Sequence, residues 1–416
     1  MSSASASGFA PIIRALAVPT YGAYSAGNLV SLIGFWMQRV GVGWLTWELT
    51  ESPTWLGVMA FADLIPSVFI APLAGSVADR WNRLMLIKVG QVLACLQAGV
   101  LALLTGAGWI NVEVLLLLIL VGGFVAAFMM PVRLALIPSL VPPPHMPAAV
   151  ALNASIFNLS RFIGPALAGL VILHWGVGAT FAVNAVTFIV FLVVLMRLSL
   201  RPEEATSRKS GGSLLRDAAE GFRYAAGHPG IAPILVLLVF MSLCARPVAE
   251  LLPGFAAQVF QGGPDILALL TSSAGIGATV GGLWLARRGD PAGLTGVALI
   301  STLVLVAALL LFVASDSLWL AVPAIAAASF CMLLVAVGAQ TLLQLSVDAA
   351  LRGRVLSLFG MVIRGGPALG ALAIGAASEI IGLQLAQGAA ALLMLLGLAW
   401  LWRRRQHIAA ALEGGK

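Results

Sequence analysis

An all-α membrane protein of twelve transmembrane helices in two pseudo-symmetric six-helix bundles is the fold class this sequence predicts. Three observations carry it. Of 416 residues, 61% are hydrophobic and only 9% are Asp, Glu, Lys or Arg, against roughly 25% charged in soluble domains. Apolar runs long enough to cross a bilayer, about 20 residues each, recur along the whole chain. One long polar segment, "RLSLRPEEATSRKSGGSLLRDAAEGFRYAAGHPG", cuts the runs into two sets of six.

The spans are expected near 20–46, 54–74, 84–106, 112–137, 147–173, 177–198, 230–257, 264–286, 293–313, 317–342, 353–376 and 381–402. That divides the chain into an N-terminal bundle at 1–198, a cytoplasmic linker at 199–229, a C-terminal bundle at 230–402 and a cytoplasmic tail at 403–416. Within the linker, "AAEGFRYAA" has the pattern of a short interfacial helix. The first residues lack the charged region and cleavage site of a signal peptide.

Orientation follows from lysine and arginine in short loops. All but four of the 23 basic residues fall at the termini or the even-to-odd connections. The opposite loops carry acids, among them Glu48, Glu113, Asp265 and Glu379. Both termini are therefore expected in the cytoplasm, and the net charge of +7 reads as topology, not nucleic-acid binding. Cys95, Cys244 and Cys331 lie in apolar runs with no disulfide or metal spacing, and no metal site or cofactor is expected.

The four basic exceptions are Arg39, Arg161, Arg246 and Arg364, joined inside the spans by Asp63 and Glu250. An ionisable group at bilayer depth costs several kcal/mol unless paired or hydrated, which makes each a functional candidate. Arg39 and Asp63 stand about nine residues either side of the first external loop, so both lie roughly 13 Å below that surface. Arg246 and Glu250 are four apart and share a helical face. Two readings stand for this set: proton exchange at Asp63 or Glu250, or static ion pairs that fix helix register. Two also stand for Arg161 and Arg364. They supply a central positive charge suited to an anionic or catecholate-like substrate, or they bond backbone carbonyls beside the Gly-Pro breaks.

The halves repeat. "GPALAG" at 164–169 matches "GPALGA" at 366–371, and an arginine precedes each. Pro165 and Pro367 free backbone carbonyls, and Gly164, Gly169, Gly366 and Gly370 permit close crossings; these read as hinge and packing positions. Phe35, Trp36, Gln38 and Asn28 in the first span, Met129 and Met130 in the fourth, and Gln340 and Gln344 in the tenth are candidates to line a substrate cavity.

"GSVADRWNR", between spans two and three, resembles the G-x-x-x-D-R-x-G-R loop of the major facilitator superfamily. Gly75, Asp79, Arg80 and Arg83 match, and Asn82 replaces the second glycine. "SRFIGPALAG" resembles the fifth-helix motif of the antiporter branch, and "LRGRVLSLF" with the region around 129–170 resembles the branch of enterobactin exporters and macrolide efflux pumps. The resemblance implies a conformational latch at Gly75, Asp79, Arg80 and Arg83, with Asp79 near Arg133. It also implies export and a monomer in the bacterial inner membrane, but not the substrate; the leading reading is proton-driven export of a small amphipathic compound, and the lack of clustered metal ligands or an activated nucleophile argues against an enzyme. One departure stands out: "LLLLILVGGFVAAF" in span four lacks the arginine common in drug-proton antiporters. No G-x-x-x-x-G-K-[ST] phosphate loop occurs, which argues against ATP hydrolysis by this chain. Uniport, import and a non-transporting receptor remain open alternatives.

Overall fold

The computed structural model describes residues 10–78, 81–198, 214–348 and 351–413. Every regular element among them is helical. The latch residues Asp79 and Arg80 lie outside the described residues, as does the linker from 199 to 213; Gly75 lies in a helix whose surroundings there are not described.

Helices α1 (Ala10–Leu16), α2 (Pro19–Thr50), α3 (Pro53–Leu64), α4 (Pro66–Ala78), α5 (Arg83–Gly106), α6 (Val112–Leu140), α7 (Met146–Trp175) and α8 (Val177–Arg197) form the first part of the chain. Then come α9 (Leu214–Gly227), α10 (Ile231–Phe240), α11 (Val248–Gly254), α12 (Pro264–Arg288), α13 (Leu294–Val313), α14 (Leu318–Ser346), α15 (Arg352–Ile381), α16 (Leu383–Arg403) and α17 (Arg405–Glu413). Eleven helical segments among the described residues are long and apolar enough to cross a membrane. Helix α2 is not one of them. Its 32 residues measure about 48 Å, but Ser25, Asn28, Ser31, Gln38 and Arg39 dilute its apolar character.

Local chemistry sets the helix starts. Asn111 caps α6 by accepting from the Val114 N–H at 2.9 Å, and Ser52 caps α3 ahead of Pro53. Asn82, the residue that departs from the loop motif, caps α5: its side chain accepts from the Met85 N–H at 3.0 Å. A glycine could not supply that bond. Arg83 then ties the loop to α6 by donating to the Ala135 carbonyl at 3.1 Å.

The internal repeat is visible in the backbone. Helices α7 and α15 are each 30 residues long, and each ends on a glycine with positive φ, Gly176 at 78° and Gly382 at 84°. Each is followed by a helix of 21 residues. The left-handed φ is open to glycine at little cost, so both corners are made the same way.

The seventh span departs from a plain helix. Residues 241–245 and 255–259 are π turns flanking α11. Arg246 closes the first of them, its N–H bonding the Met241 carbonyl at 3.1 Å. π turns widen the helix locally and concentrate at functional positions.

The contacts group residues 1–42 and 69–209 into one compact unit and residues 43–68 and 210–416 into another. The chain thus changes unit within α2, within α4 and again between residues 209 and 210, in the polar linker. In the first unit, α5 packs on α6 and α8, and α7 on α8. Its core at one end holds Tyr21, Tyr24, Ile87, Met129, Val132, Leu136, Phe191 and Leu195. In the second unit α13 and α12 pack on α14, and α3 on α15. The tail helix closes that unit: Glu413 accepts from the Gly293 N–H at 2.6 Å and the Thr295 N–H at 2.8 Å, placing a carboxylate on the positive N-terminus of α13.

His228, between α9 and α10, accepts at Nδ1 from the N–H groups of Gly230 (3.1 Å) and Ile231 (3.2 Å). Partial burial pushes its pKa below 6.5, against a smaller upward pull from Asp348. A depressed pKa means the folded state favours the neutral ring. This contribution is therefore complete above the unfolded value and is lost as pH falls through the folded one. Melting curves between pH 7.5 and 5 are expected to show a weaker acid-side decline in His228→Asn than in the wild type.

Candidate functional site

The first unit brings together five of the residues singled out in its sequence, around one indole. Trp36 lies on α2 between two arginines. The guanidinium carbon of Arg39 is 5.9 Å from the indole centroid, and that of Arg161, on α7, is 5.7 Å away. Both are within the range of cation–π attraction. Phe35 and Phe157 meet the indole edge-on, each with centroids 5.8 Å apart. Gly164 makes this possible: a Cβ there would sit 2.5 Å from Trp36 Cβ and 3.0 Å from the Ile33 carbonyl. The close crossing of α7 over α2 is thus written into the "GPALAG" segment.

The indole N–H of Trp36 is buried and has no acceptor. Leaving such a donor unmet costs about 1–3 kcal/mol. The site therefore combines an aromatic surface, two cations and a donor awaiting an acceptor. Its chemical complement is a flat or apolar group bearing electron-rich oxygens.

Gln38, two residues from Trp36, is held in an amide chain. It accepts from Asn184 Nδ2 at 2.8 Å and donates to Gln97 Oε1 at 3.1 Å; Gln97 in turn donates to the Leu118 carbonyl at 3.1 Å. Gln97 and Asn184 are buried. The sequence reading did not single them out, because an amide in an apolar run carries no periodic signal of its partner.

Other expected lining positions fall elsewhere. Met129 packs in the core, filling the space over Gly90, where a Cβ would lie 1.9 Å from its sulfur. Met130 is exposed, 39% accessible. Asn28 is buried, accepting from Arg133 and donating to Asn153. Gln340 and Arg364 are half-buried and Gln344 is exposed, all in the second unit. There Gly366 and Gly370 lie against the first π turn: a Cβ on Gly366 would sit 2.4 Å from Ser242 Cβ, and one on Gly370 would sit 2.2 Å from the Leu243 carbonyl.

Arg39 belongs to the first unit and Asp63 to the second. Asp63 and Glu250 are carried by α3 and α11, which pack on each other within the second unit; both carboxylates are half-buried. Arg133, expected near Asp79 in the latch, falls within the expected fourth span, 112–137. It lies inside α6, seven residues before the end of that helix.

Long apolar helices and an internal repeat define a multi-pass membrane protein. The chain belongs to the major facilitator superfamily: the family of transmembrane secretion effectors matches residues 6–412. A staphyloferrin A transporter of Staphylococcus aureus is 22% identical over 64% of this chain and 66% of its own length. Macrolide efflux protein A of Streptococcus pyogenes is 21% identical over 64% of this chain and 65% of its own. These alignments span just under two thirds of each relative. The multidrug efflux pump Tap of Mycolicibacterium fortuitum is 24% identical over 89% of the chain and 90% of its own length. Among solved structures, a bacterial homologue of the lysosomal transporter Spinster shares the fold with a TM-score of 0.74 at 16% identity, covering 94% of this chain and 98% of its own. A bacterial homologue of ferroportin gives 0.67 at 17%, covering 92% and 98%.

Proposed function

We propose that this protein is a proton-coupled exporter of a small amphipathic compound with oxygen-rich or anionic character, working by alternating access in a bacterial plasma membrane. The observation that carries the substrate class is Trp36, held between Arg39 and Arg161 with its indole N–H unmet. Export is supported by the secretion-effector family and by relatives named for efflux. Helix α2 completes twelve spans in this reading. It is the least apolar span because it carries the polar face of the substrate path. Both termini lie in the cytoplasm, as the arginine and lysine distribution requires. Gly75, Asp79, Arg80 and Arg83 act as the latch. The coupling proton is assigned to Asp63 or Glu250, the two carboxylates carried inside the spans, since an ionisable group at bilayer depth is a functional candidate.

The test is reconstitution in liposomes under an imposed pH gradient, with internal pH followed as enterobactin, erythromycin or tetraphenylphosphonium is added. Enterobactin is expected to trigger proton flux. Trp36→Ala and Arg161→Gln are expected to lower substrate-dependent flux at least tenfold, the scale of a lost charge-assisted contact. Asp63→Asn or Glu250→Gln is expected to abolish coupling. Substrate movement without proton flux, or coupling that survives both neutral variants, removes the antiport assignment. A response to tetraphenylphosphonium alone removes the anionic substrate.

A further inference from the structure

We propose that Arg133 and Tyr24 form a binding site for a carboxylate or phosphate group within the first unit, separate from Trp36. Arg133 is held by two amide oxygens: it donates through Nη1 to Asn28 Oδ1 at 3.4 Å and through Nη2 to Gln91 Oε1 at 3.1 Å. Its guanidinium carbon is 5.4 Å from the centroid of the Phe191 ring. Its Nε–H is buried and unmet. No carboxylate lies in salt-bridge range of it among the described residues. A guanidinium has five N–H donors, so two bonds leave most of its capacity unused among the described residues.

The groups around it add donors, not acceptors. The Tyr24 ring packs edge-on against the same Phe191, with centroids 5.6 Å apart. Tyr24 is 1% exposed, and its hydroxyl adds an O–H donor. Asn153 spends its oxygen on Asn28 at 3.5 Å, which leaves its amide N–H groups to spare. Gln91 spends its own donor on the Phe188 carbonyl at 3.4 Å. Both nearby amide oxygens that face Arg133 are already occupied by it. Spare donors beside a half-buried cation are complementary to an oxyanion.

Depth makes the site reachable. Arg133 is seven residues from the end of α6, Tyr24 five from the start of α2, Gln91 eight from the start of α5 and Asn153 seven from the start of α7. All four stand about 7–12 Å inside the same end of the unit. Arg133 itself is only half-buried, so part of it faces open space. Two sources can supply this chemistry: the carboxylate of a soluble anion entering from that end, or the phosphate of a lipid headgroup. Neither depends on the direction of transport or on proton coupling.

The experiment uses the full chain in nanodiscs of phosphatidylcholine, with melting temperature followed against citrate and against inorganic phosphate at constant ionic strength. A second arm replaces part of the phosphatidylcholine with phosphatidylglycerol. In the wild type, at least one soluble probe or the anionic lipid is expected to raise the melting temperature, saturably for a soluble probe. Arg133→Lys keeps the charge but loses the planar fork, and Tyr24→Phe removes one hydroxyl at constant shape. Each is expected to weaken the response about tenfold. Arg133→Gln is expected to abolish it; should that variant fail to fold, the two conservative variants decide. A saturable response to citrate or phosphate assigns the site to a soluble anion. A response confined to phosphatidylglycerol and lost in both conservative variants assigns it to lipid phosphate. No response to any probe, or equal responses in wild type, Arg133→Lys and Tyr24→Phe, overturns the proposal.

Discussion

Gly57→Val lowers the melting temperature of the purified protein by several degrees, whereas Gly99→Ala and Gly360→Ala leave it unchanged or slightly raised. Gly57 and Gly375 are where α3 and α15 cross. A Cβ on Gly57 would lie 2.4 Å from the Ala371 carbonyl oxygen and 2.9 Å from Leu372 Cα; one on Gly375 would lie 2.5 Å from the Pro53 carbonyl oxygen. These obstacles are backbone, so no rotamer change relieves them. The same seam is clasped by Ser52 donating to the Glu379 carboxylate and by Thr54 donating to the Gly375 carbonyl at 3.3 Å. Close crossings of this kind drive helix association in a bilayer, where hydrophobic burial does not. Forcing the seam open costs about 1–3 kcal/mol by overpacking, or several degrees for a unit of this size. Gly99 and Gly360 have nothing within 4 Å of an added Cβ, and alanine there gains helix propensity. Equal melting of all four proteins would show that the seam contributes nothing to stability.

The sequence is most informative where the signal is long. Apolar runs set the helices, and the repeated "GPAL" segments mark α7 and α15, whose equal lengths and matching glycine corners bear the repeat out. It is least informative where a signal is local and has two meanings. Pro138 reads as the end of the fourth span, since a proline disfavours helix in the residue before it. The helix runs on to Leu140. The π turns around Arg246 leave no mark in the composition, and the break at Ile65 is marked only by Pro66.

The site residues divide along the same line. Trp36, Phe35, Arg39 and Arg161 were legible because charge and large aromatics are conspicuous inside apolar spans. Their convergence on one ring was not, because it depends on the rotation of α2. That rotation is set by partners distant in sequence: Gly164 on α7, and the amides on α5 and α8 that grip Gln38.

Asn184→Leu is accordingly expected to damage both stability and substrate handling, although it touches none of the aromatic or charged groups at Trp36. Asn184, Gln38, Gln97 and the Leu118 carbonyl form one hydrogen-bonded row across α8, α2, α5 and α6, with Thr187 donating to Asn184 Oδ1 at 3.2 Å. Removing Asn184 strands the Gln38 acceptor in apolar surroundings, while Thr187 keeps its bond to the carbonyl of residue 184 at 2.8 Å. In a membrane such bonds are worth roughly 0.6–2 kcal/mol each, so the single variant loses about 1–2 kcal/mol. Gln97→Leu breaks the row at its other end with a similar loss. The double variant is expected to lose less than the two separately, because both leave the same Gln38 half-satisfied. Strict additivity in melting free energy would mean the amides act as independent pairs and not as a row. The functional half of the prediction rests on geometry: Gln38 is one residue from Arg39 and two from Trp36, so freeing it lets α2 turn. Transport by Asn184→Leu is expected to fall several-fold more than that of Gly57→Val variants matched for melting temperature. Equal transport at equal stability would separate the amide row from the aim of Trp36.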